Sequence, residues 1–188
     1  MSKLDWKIIN EKYTDFLRDE YESRIPNTDY GADKYKPFFG ELFRVGNLVY
    51  VTQVTSAKPR HYKIKNSIDF HKIYINNRLV SCVNLNYMFP VPIGELTNLN
   101  YSKIDTIINF ATPVDKSKYI NLLKLELIEI NKLSLEQTAI NLYHRKYNKP
   151  DDFISQRCFD FKVLECAAQE WRNGNQGNKS KILVGSTN

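Results

Sequence analysis

The chain begins with an apolar pattern of helical period. Between residues 10 and 23 the large apolar and aromatic side chains recur three and four positions apart, at Tyr13, Phe16, Leu17 and Tyr21. Pro26 then ends the predicted helix, because proline cannot continue it. Residues 27–37, with the sequence NTDYGADKYKP, are polar and rich in turn-forming types, and they predict a loop.

The middle of the chain changes to short apolar runs separated by turn dipeptides, which is typical of β-hairpins. Strands are predicted at 38–44 and 48–55 around Gly46-Asn47, at 70–75 and 79–85 around Asn76-Asn77, and at 87–91 before Pro92. Several short strands joined by tight turns predict a twisted antiparallel sheet, or the same sheet curled into a partial barrel.

Beyond Pro113 the pattern is helical again. Leucine and isoleucine form a broad stripe within 119–130, and Ser134 with Gln137 three residues later predicts a capping box that starts a helix ending near residue 147. One more helix is predicted at 159–171, followed from about residue 173 by a polar, loosely held tail with a short strand at 182–184. Because no repeat or linker divides the chain, residues 1–188 are expected to form one α+β domain.

The amino-acid composition limits the classes of protein to which the chain can belong. Of 188 residues, 42% are hydrophobic and 26% are charged, as in globular proteins. No apolar run approaches the ~18 residues of a membrane span, and the N-terminus lacks the apolar region of a secretory signal. The three cysteines show no paired spacing, which fits a reducing compartment. We therefore expect a cytoplasmic protein that does not interact with membranes.

The charge balance favours a polyanionic partner. Lys and Arg outnumber Asp and Glu by 27 to 21, which gives a net charge of +6, and there are 12 tyrosines. Cations interleaved with aromatic rings suit single-stranded nucleic acid, since phosphates contact the cations and bases stack on the rings. A solvated surface without a nucleic-acid partner explains the composition equally well.

The motifs of most enzyme classes are absent. The sequence contains no GxxxxGK[ST], GxGxxG, GxSxG or CxxC motif, its three histidines are scattered, and its acidic residues form no two-metal cluster. We predict no metal and no cofactor. An RNA-cleaving chain of this kind would use the 2′-hydroxyl of its substrate, which requires a proton acceptor, a proton donor and cations around the phosphate.

Two segments could supply such groups. At the end of a predicted strand, Ser56 and Lys58 would point the same way if the extended geometry persists, and Arg60 and His61 follow directly. Histidine titrates near neutrality, so His61 is a candidate acid or base. The second segment lies before residue 38 and carries Tyr30, Lys34, Tyr35 and Lys36. Ordinary solvated loops are the alternative interpretation of both segments.

Four short stretches, in this order along the chain, resemble one protein family. They are KYTDFL at 12–17, IPN at 25–27 with KPFFG at 36–40, TSAK at 55–58, and NLNYMFPV at 84–91. Over about residues 6 to 92 the chain resembles the toxins of type III toxin–antitoxin systems, the ToxN and AbiQ endoribonucleases. The helical C-terminal half is similar only in general character.

The resemblance implies a fold and an activity. The fold is similar to that of the MazF and Kid toxins, with a compact twisted antiparallel sheet flanked by helices. Such toxins cut single-stranded RNA at adenine-rich sites without a metal and leave 2′,3′-cyclic phosphate and 5′-hydroxyl ends. Their inhibitor is an RNA pseudoknot processed from tandem repeats. The implied targets are cellular or phage mRNA, the implied biology is phage resistance by abortive infection, and some relatives close into rings of protein and RNA.

The resemblance also assigns site residues. The implied catalytic residues are Lys36, Thr55, Ser56 and Lys58. The expected RNA-binding residues are Tyr13, Tyr30, Arg60 and His61, with Tyr35 as the competitor of Tyr30. Ala57 stands where the family carries proline, and Arg60 stands where some relatives carry an aromatic residue. The alternative functions are a non-catalytic RNA-binding module and a protein-interaction domain.

Overall fold

A computed structural model describes residues 3–27 and 35–184, with side chains up to residue 174. The strands are β1 (Asp5–Ile9), β2 (Phe38–Gly40), β3 (Arg44–Val45), β4 (Leu48–Ser56), β5 (Phe70–Ile75), β6 (Arg78–Asn84), β7 (Phe89–Pro92) and β8 (Leu96–Asn98). The helices are α1 (Glu11–Glu20), α2 (Pro59–Lys63), α3 (Pro113–Ile130), α4 (Leu135–Asn148), α5 (Phe153–Arg157) and α6 (Phe161–Val184). Short 3₁₀ turns lie at Leu85–Tyr87, Ile93–Glu95 and Tyr101–Thr106.

The strands form an open antiparallel sheet of eight, in the order β5-β6-β4-β2-β1-β8, with β3 and β7 also paired to β4. The first half of β4 pairs with β3 and β7, and its second half pairs with β2 and β6. Four strands therefore hold β4 in place. The α+β class and the antiparallel sheet flanked by helices are confirmed.

Both predicted hairpin turns are present. Asn76 and Asn77 have φ values of 49° and 60°, and they connect Ile75 to its partner Arg78. Two consecutive left-handed residues are the geometry of a type I′ turn, which asparagine tolerates better than most residues. The other turn places Gly46 at φ 57° between the partners Val45 and Leu48.

The strand predicted at 38–44 is divided into β2 and β3. At the point of division, a Cβ atom on Gly40 would lie 2.9 Å from Val51 Cγ1, so only glycine allows the two backbones to approach this closely. The intervening residues stay against β4, since the Leu42 amide donates to Tyr50 O and the Tyr50 amide donates to Phe43 O.

Several predicted elements need correction. Strands β1 and β8 were not predicted, because five and three residues in polar surroundings give too short a pattern. The predicted strand at 182–184 is wrong, since the backbone of α6 is helical through Val184. The predicted capping box is also wrong. Ser134 lies in the left-handed region at φ 48°, and its side chain makes no capping hydrogen bond.

The buried side chains form one large cluster and one small one. The large cluster joins the sheet to α1, α3, α4 and α6, and Trp6 at its centre donates its indole N–H to Leu123 O at 2.9 Å. This contact fixes α3 relative to β1. None of the helices in the described residues is both long and apolar enough to cross a membrane.

Candidate active site

The C-terminal end of β4 brings the predicted site residues together. Thr55 and Ser56 are its last two residues and pair with Cys82 and Ser81 on β6. Lys36 lies on the other side of the strand, where the Gln53 side chain donates to its backbone carbonyl at 2.7 Å. Because side chains alternate along a strand, Ser56 faces one side of the sheet and Thr55 faces the other. Each faces a separate cavity.

We call the first cavity the tyrosine cavity. Its volume is about 480 Å³, and the residues used below are Tyr35, Lys36, Ser56, Tyr119 and Glu126. The remaining walls are mainly apolar and come from Pro37, Val54, Leu122 and Leu123. Among the described residues, the cavity thus presents the Lys36 ammonium, the Glu126 carboxyl group and hydroxyl groups between mainly apolar walls.

Burial controls the ionisable groups of the tyrosine cavity. Glu126 is only 5% exposed, and burial raises the pKa of its carboxyl above the ordinary value, while Ser81 and the Lys36 ammonium act in the opposite direction. The Tyr35 hydroxyl is buried without a hydrogen-bond partner among the described residues, and burial raises its pKa to about 12. The Tyr119 hydroxyl donates to the backbone carbonyl of Tyr35 at 2.9 Å, which joins α3 to the segment that carries Lys36.

We call the second cavity the basic cavity. Its volume is about 440 Å³, and the residues used below are Thr55, Lys58, Arg60, His61 and Arg157. Its other lining includes Asn84, Asn86 and the ring of Tyr87. The three cations make this cavity a natural site for phosphate, and the amides and the ring could contact a base.

Arg157 is held in the basic cavity by an acidic partner. Its terminal nitrogen lies 2.5 Å from the carboxylate of Asp69, which is 1% exposed and also accepts a hydrogen bond from Ser67 Oγ at 2.7 Å. The Nε atom of Arg157 is buried and has no hydrogen-bond partner among the described residues. One donor of this guanidinium is therefore buried without a protein partner in the described part of the chain.

His61 is almost fully buried, at 3% exposed. Its Nδ1 accepts a hydrogen bond from the backbone amide of Lys58 at 3.2 Å, so the ring braces the turn that starts α2 and carries Lys58. Burial, and then the charges of Arg60, Lys58 and Lys72, lower the pKa of the His61 imidazole. The ring is therefore neutral at pH 7, as an accepting Nδ1 requires.

Metal ligands do not gather in the part of the chain that the structure describes. No three His, Cys, Asp or Glu side chains there lie together as a metal site would need.

The family is identified by a sequence model. The model of the ToxN toxin of type III toxin–antitoxin systems matches residues 6–169, which is most of the chain. The chain belongs to the ToxN family.

Solved structures agree with the ToxN fold. One is a bacterial type III toxin–antitoxin system in which a non-coding RNA pseudoknot selectively inhibits the toxin, with a TM-score of 0.70, 21% identity, and coverage of 91% of this chain and 99% of that chain. AbiQ, a lactococcal anti-phage endoribonuclease, gives a TM-score of 0.71 at 21% identity, covering 92% and 99%. A bacterial antiviral system regulated by a processed non-coding RNA gives 0.70 at 21%, covering 88% and 98%. No curated protein sequence matches the chain significantly.

Within this ToxN-family chain the predicted catalytic residues are divided between the two cavities. Lys36 lines the tyrosine cavity with Ser56, whereas Thr55 lines the basic cavity with Lys58. The strand was expected to present Ser56 and Lys58 on one face, but Lys58 shares its cavity with Thr55 instead. Arg60, predicted to contact RNA, is exposed and also lines the basic cavity.

The predictions that Tyr13 and Tyr30 bind RNA have different outcomes. The prediction that Tyr13 contacts RNA is wrong for this structure, because its side chain is fully buried and its hydroxyl donates to Pro90 O at 2.6 Å. A tyrosine on the apolar face of a helix packs into the core, and here it lies against Trp171. Tyr30 lies outside the described residues, and its competitor Tyr35 lines the tyrosine cavity.

Sequence reasoning missed Glu126 and Arg157. Glu126 stands within the apolar stripe of α3, about 70 residues beyond the end of β4, and Arg157 ends α5, about 100 residues beyond it. A carboxylate in an otherwise apolar helix face was the available signal for Glu126. Arg157 had no signal in its own neighbourhood, since its partner Asp69 is distant in sequence.

Proposed function

We propose that this ToxN-family toxin is an endoribonuclease that cuts single-stranded RNA without a metal ion. In this reaction the 2′-oxygen attacks the adjacent phosphorus and the bond to the 5′-oxygen breaks. The products carry a 2′,3′-cyclic phosphate and a 5′-hydroxyl. The arrangement of hydroxyl and ammonium groups at the end of β4, on a chain of this family, supports the proposal.

One structural observation gives the main support for the proposed endoribonuclease activity. The end of β4 presents a hydroxyl group to each of two cavities, Ser56 to one and Thr55 to the other, and each cavity contains a lysine. An RNA strand lying across this end would place a phosphate within reach of both sides. Preorganised cations around a phosphate stabilise the charge that develops in its transition state, without the cost of reorganising water.

The proposed roles follow from charge and position. Lys36 and Lys58 stabilise the negative charge of the phosphorane, while Ser56 and Thr55 orient the phosphate and the 2′-hydroxyl. Lysine has a reference pKa of ~10.4 and remains protonated near neutrality, which suits it to stabilise charge rather than to accept a proton. Arg60 and Arg157 extend the positive surface along the path of the RNA.

The proposed partners are RNA molecules. A ToxN-family toxin of this fold would be inhibited by a repeat-derived RNA that it processes itself, and its targets would be cellular or phage mRNA. The pseudoknot inhibitor and the processed non-coding RNA of the structural relatives support this proposal. A ring of toxin and RNA, and a role in abortive phage infection, belong to the same proposal.

The test is to incubate the purified protein with single-stranded RNA and to identify the product ends. We expect 2′,3′-cyclic phosphates and 5′-hydroxyls, unchanged cleavage in the presence of EDTA, and inhibition by transcripts of the short tandem repeats expected upstream of the gene. Products ending in 3′-hydroxyls, or activity abolished by EDTA and restored by a metal, would refute the mechanism. RNA binding without cleavage would instead identify a non-catalytic RNA-binding module.

A further inference from the structure

The tyrosine cavity contains a buried carboxylate that the proposed mechanism does not yet use. Glu126 lies about one turn before the end of α3, is 5% exposed, and lines the same cavity as Ser56 and Lys36. Of the acidic side chains that line either cavity, Asp69 is already neutralised by Arg157, whereas Glu126 faces the enclosure that contains the predicted catalytic lysine.

The position of Glu126 on its helix is unusual for a charged residue. Leu123 and Ile130, three residues before and four after it, are both buried in the main core, so Glu126 occupies the apolar face of α3. Burying a carboxylate costs free energy unless polar groups compensate it. The Lys36 ammonium, which lines the same cavity, offsets part of that cost by favouring the ionised form of the carboxyl group. An aliphatic residue would serve the packing of this face at lower cost.

The proposed reaction needs a proton acceptor, and the other candidates serve poorly. Lysine is by nature a poor proton acceptor near neutrality, because its reference pKa is ~10.4. His61 faces the basic cavity, away from Ser56, and its Nδ1 already accepts the Lys58 amide. A carboxylate has no such restriction.

We propose that Glu126 is the general base that removes the proton from the 2′-hydroxyl of the RNA, an inference that rests on the proposed function. The Glu126 carboxylate takes the 2′-proton as the bond between the 2′-oxygen and phosphorus forms. The bond between phosphorus and the 5′-oxygen breaks, and the 5′-oxygen takes a proton from the Lys36 ammonium. Glu126 then returns its proton to the Lys36 amine through water, which restores both groups.

The electrostatics of the cavity suit this role. Burial raises the pKa of Glu126, so its ionised carboxylate is a stronger base than that of an exposed glutamate, while the nearby Lys36 ammonium acts in the opposite direction. The other titratable groups around it are the phenols of Tyr35 and Tyr119, which stay neutral, with His71 and Lys72 on β5, the strand that packs on α3.

The decisive variant is Glu126→Gln, which keeps the shape of the side chain and removes the base. Glu129→Gln is the matched control, because Glu129 lies one turn further along α3 and pairs with Lys132 outside both cavities. Cleavage rates are measured between about pH 5 and pH 9. Affinity is measured with a 2′-O-methylated RNA of the same sequence, which cannot react by this route. Thermal melts show whether each variant is folded.

We expect Glu126→Gln to lose about 10²–10⁴-fold in cleavage rate with unchanged affinity, and to lose the fall in rate at acid pH that the wild type shows. Glu129→Gln should behave like the wild type. Cleavage by Glu126→Gln within about threefold of the wild-type rate would overturn the inference, as would a slow variant that keeps the wild-type pH profile. A wild-type protein that cleaves no RNA would instead overturn the proposed function.

A second variant distinguishes the loss of the base from the loss of the fold. Glu126→Ala leaves room for a small carboxylate, so added formate should restore part of the activity, whereas formate should not restore activity to Glu126→Gln. The absence of rescue in a folded Glu126→Ala protein that binds the methylated RNA would count against Glu126 as the base.

Discussion

The tyrosine cavity and the basic cavity lie on opposite sides of one strand end, and they differ in what surrounds their ionisable groups. The tyrosine cavity has mainly apolar walls and holds one ammonium, from Lys36, beside one buried carboxyl group, from Glu126. The basic cavity is lined by amides and three cations, and its one acidic group is taken up by Arg157.

The difference separates two tasks that a ribonuclease must perform. An enclosure of low polarity strengthens electrostatic interactions and shifts pKa values, which suits proton transfer. A polar, cationic surface suits the binding of a phosphate chain, which depends on charge rather than on precise proton affinity. The end of β4 lies between the two and could present one phosphate to both.

Among changes to the cations of the two cavities, the largest effect is expected from the two lysines. Lys36→Ala in the tyrosine cavity and Lys58→Ala in the basic cavity should each lower the cleavage rate by about 10²–10³, or about 2.7–4 kcal/mol, because each removes a charge that stabilises the phosphorane. If both act on one phosphate, the double variant should lose far less than the product of the two losses. Single-turnover kinetics of all four proteins completes the cycle. Single variants that cut at the wild-type rate would show that neither lysine stabilises the transition state, and losses that multiply in the double variant would show that the two lysines act independently.

A smaller effect is expected on the stability of the basic cavity. Arg157→Ala leaves the buried Asp69 carboxylate with Ser67 as its remaining side-chain partner among the described residues, so unfolding should require about 1–3 kcal/mol less free energy. For a protein of this size the melting temperature should fall by about 2–4 °C per kcal/mol. Lys132→Ala is the control, since it removes an exposed ion pair with Glu129 and should change stability by less than about 1 kcal/mol. Equal melting temperatures for the two variants would mean that the contact between Arg157 and Asp69 does not stabilise the fold.

The smallest effect is expected from Arg60, which is exposed at the edge of the basic cavity. Arg60→Ala should remove one phosphate contact and reduce the slope of log affinity against log salt by about 0.7, with only a modest loss of cleavage at low salt. Lys103→Ala changes an exposed lysine in the turn Tyr101–Thr106, away from both cavities, and should leave the slope unchanged. Fluorescence anisotropy over a salt series measures both slopes. Identical slopes for wild type and Arg60→Ala would exclude Arg60 from the RNA path.

The local elements of the fold could be predicted from the sequence, because their causes are local. The Asn76-Asn77 turn needs two left-handed residues, and asparagine is among the residues that adopt this conformation most readily. Strands β1 and β8 are stabilised by pairing with distant segments, and their own sequences are too short to indicate it. Ser134 and Gln137 have the residue types of a capping box. Ser134 nevertheless lies in the left-handed region, and its side chain makes no capping hydrogen bond.

The residues of the candidate site also divide into those with a local signal in the sequence and those placed by contacts with distant segments. The contiguous segment from Thr55 to His61 was found because its polar residues stand together, and Lys36 was found by family resemblance. Glu126 reaches the site through the packing of α3, and its one local signal was a carboxylate in an otherwise apolar helix face. Arg157 reaches the site through its ion pair with Asp69, which no local pattern indicates. Tyr13 was misassigned because resemblance does not distinguish a tyrosine in the core from one in a binding groove.

The anchoring of β4 has a consequence for how such a toxin can be silenced. Its first residues are held by β3 and β7, and Thr52 and Gln53 pair with β2, whereas Thr55 and Ser56 at its end pair with β6. An antagonist that acted by distorting the reactive end would have to break that pairing with β6. One that binds over the end leaves the backbone pairing intact, which favours inhibition by occlusion.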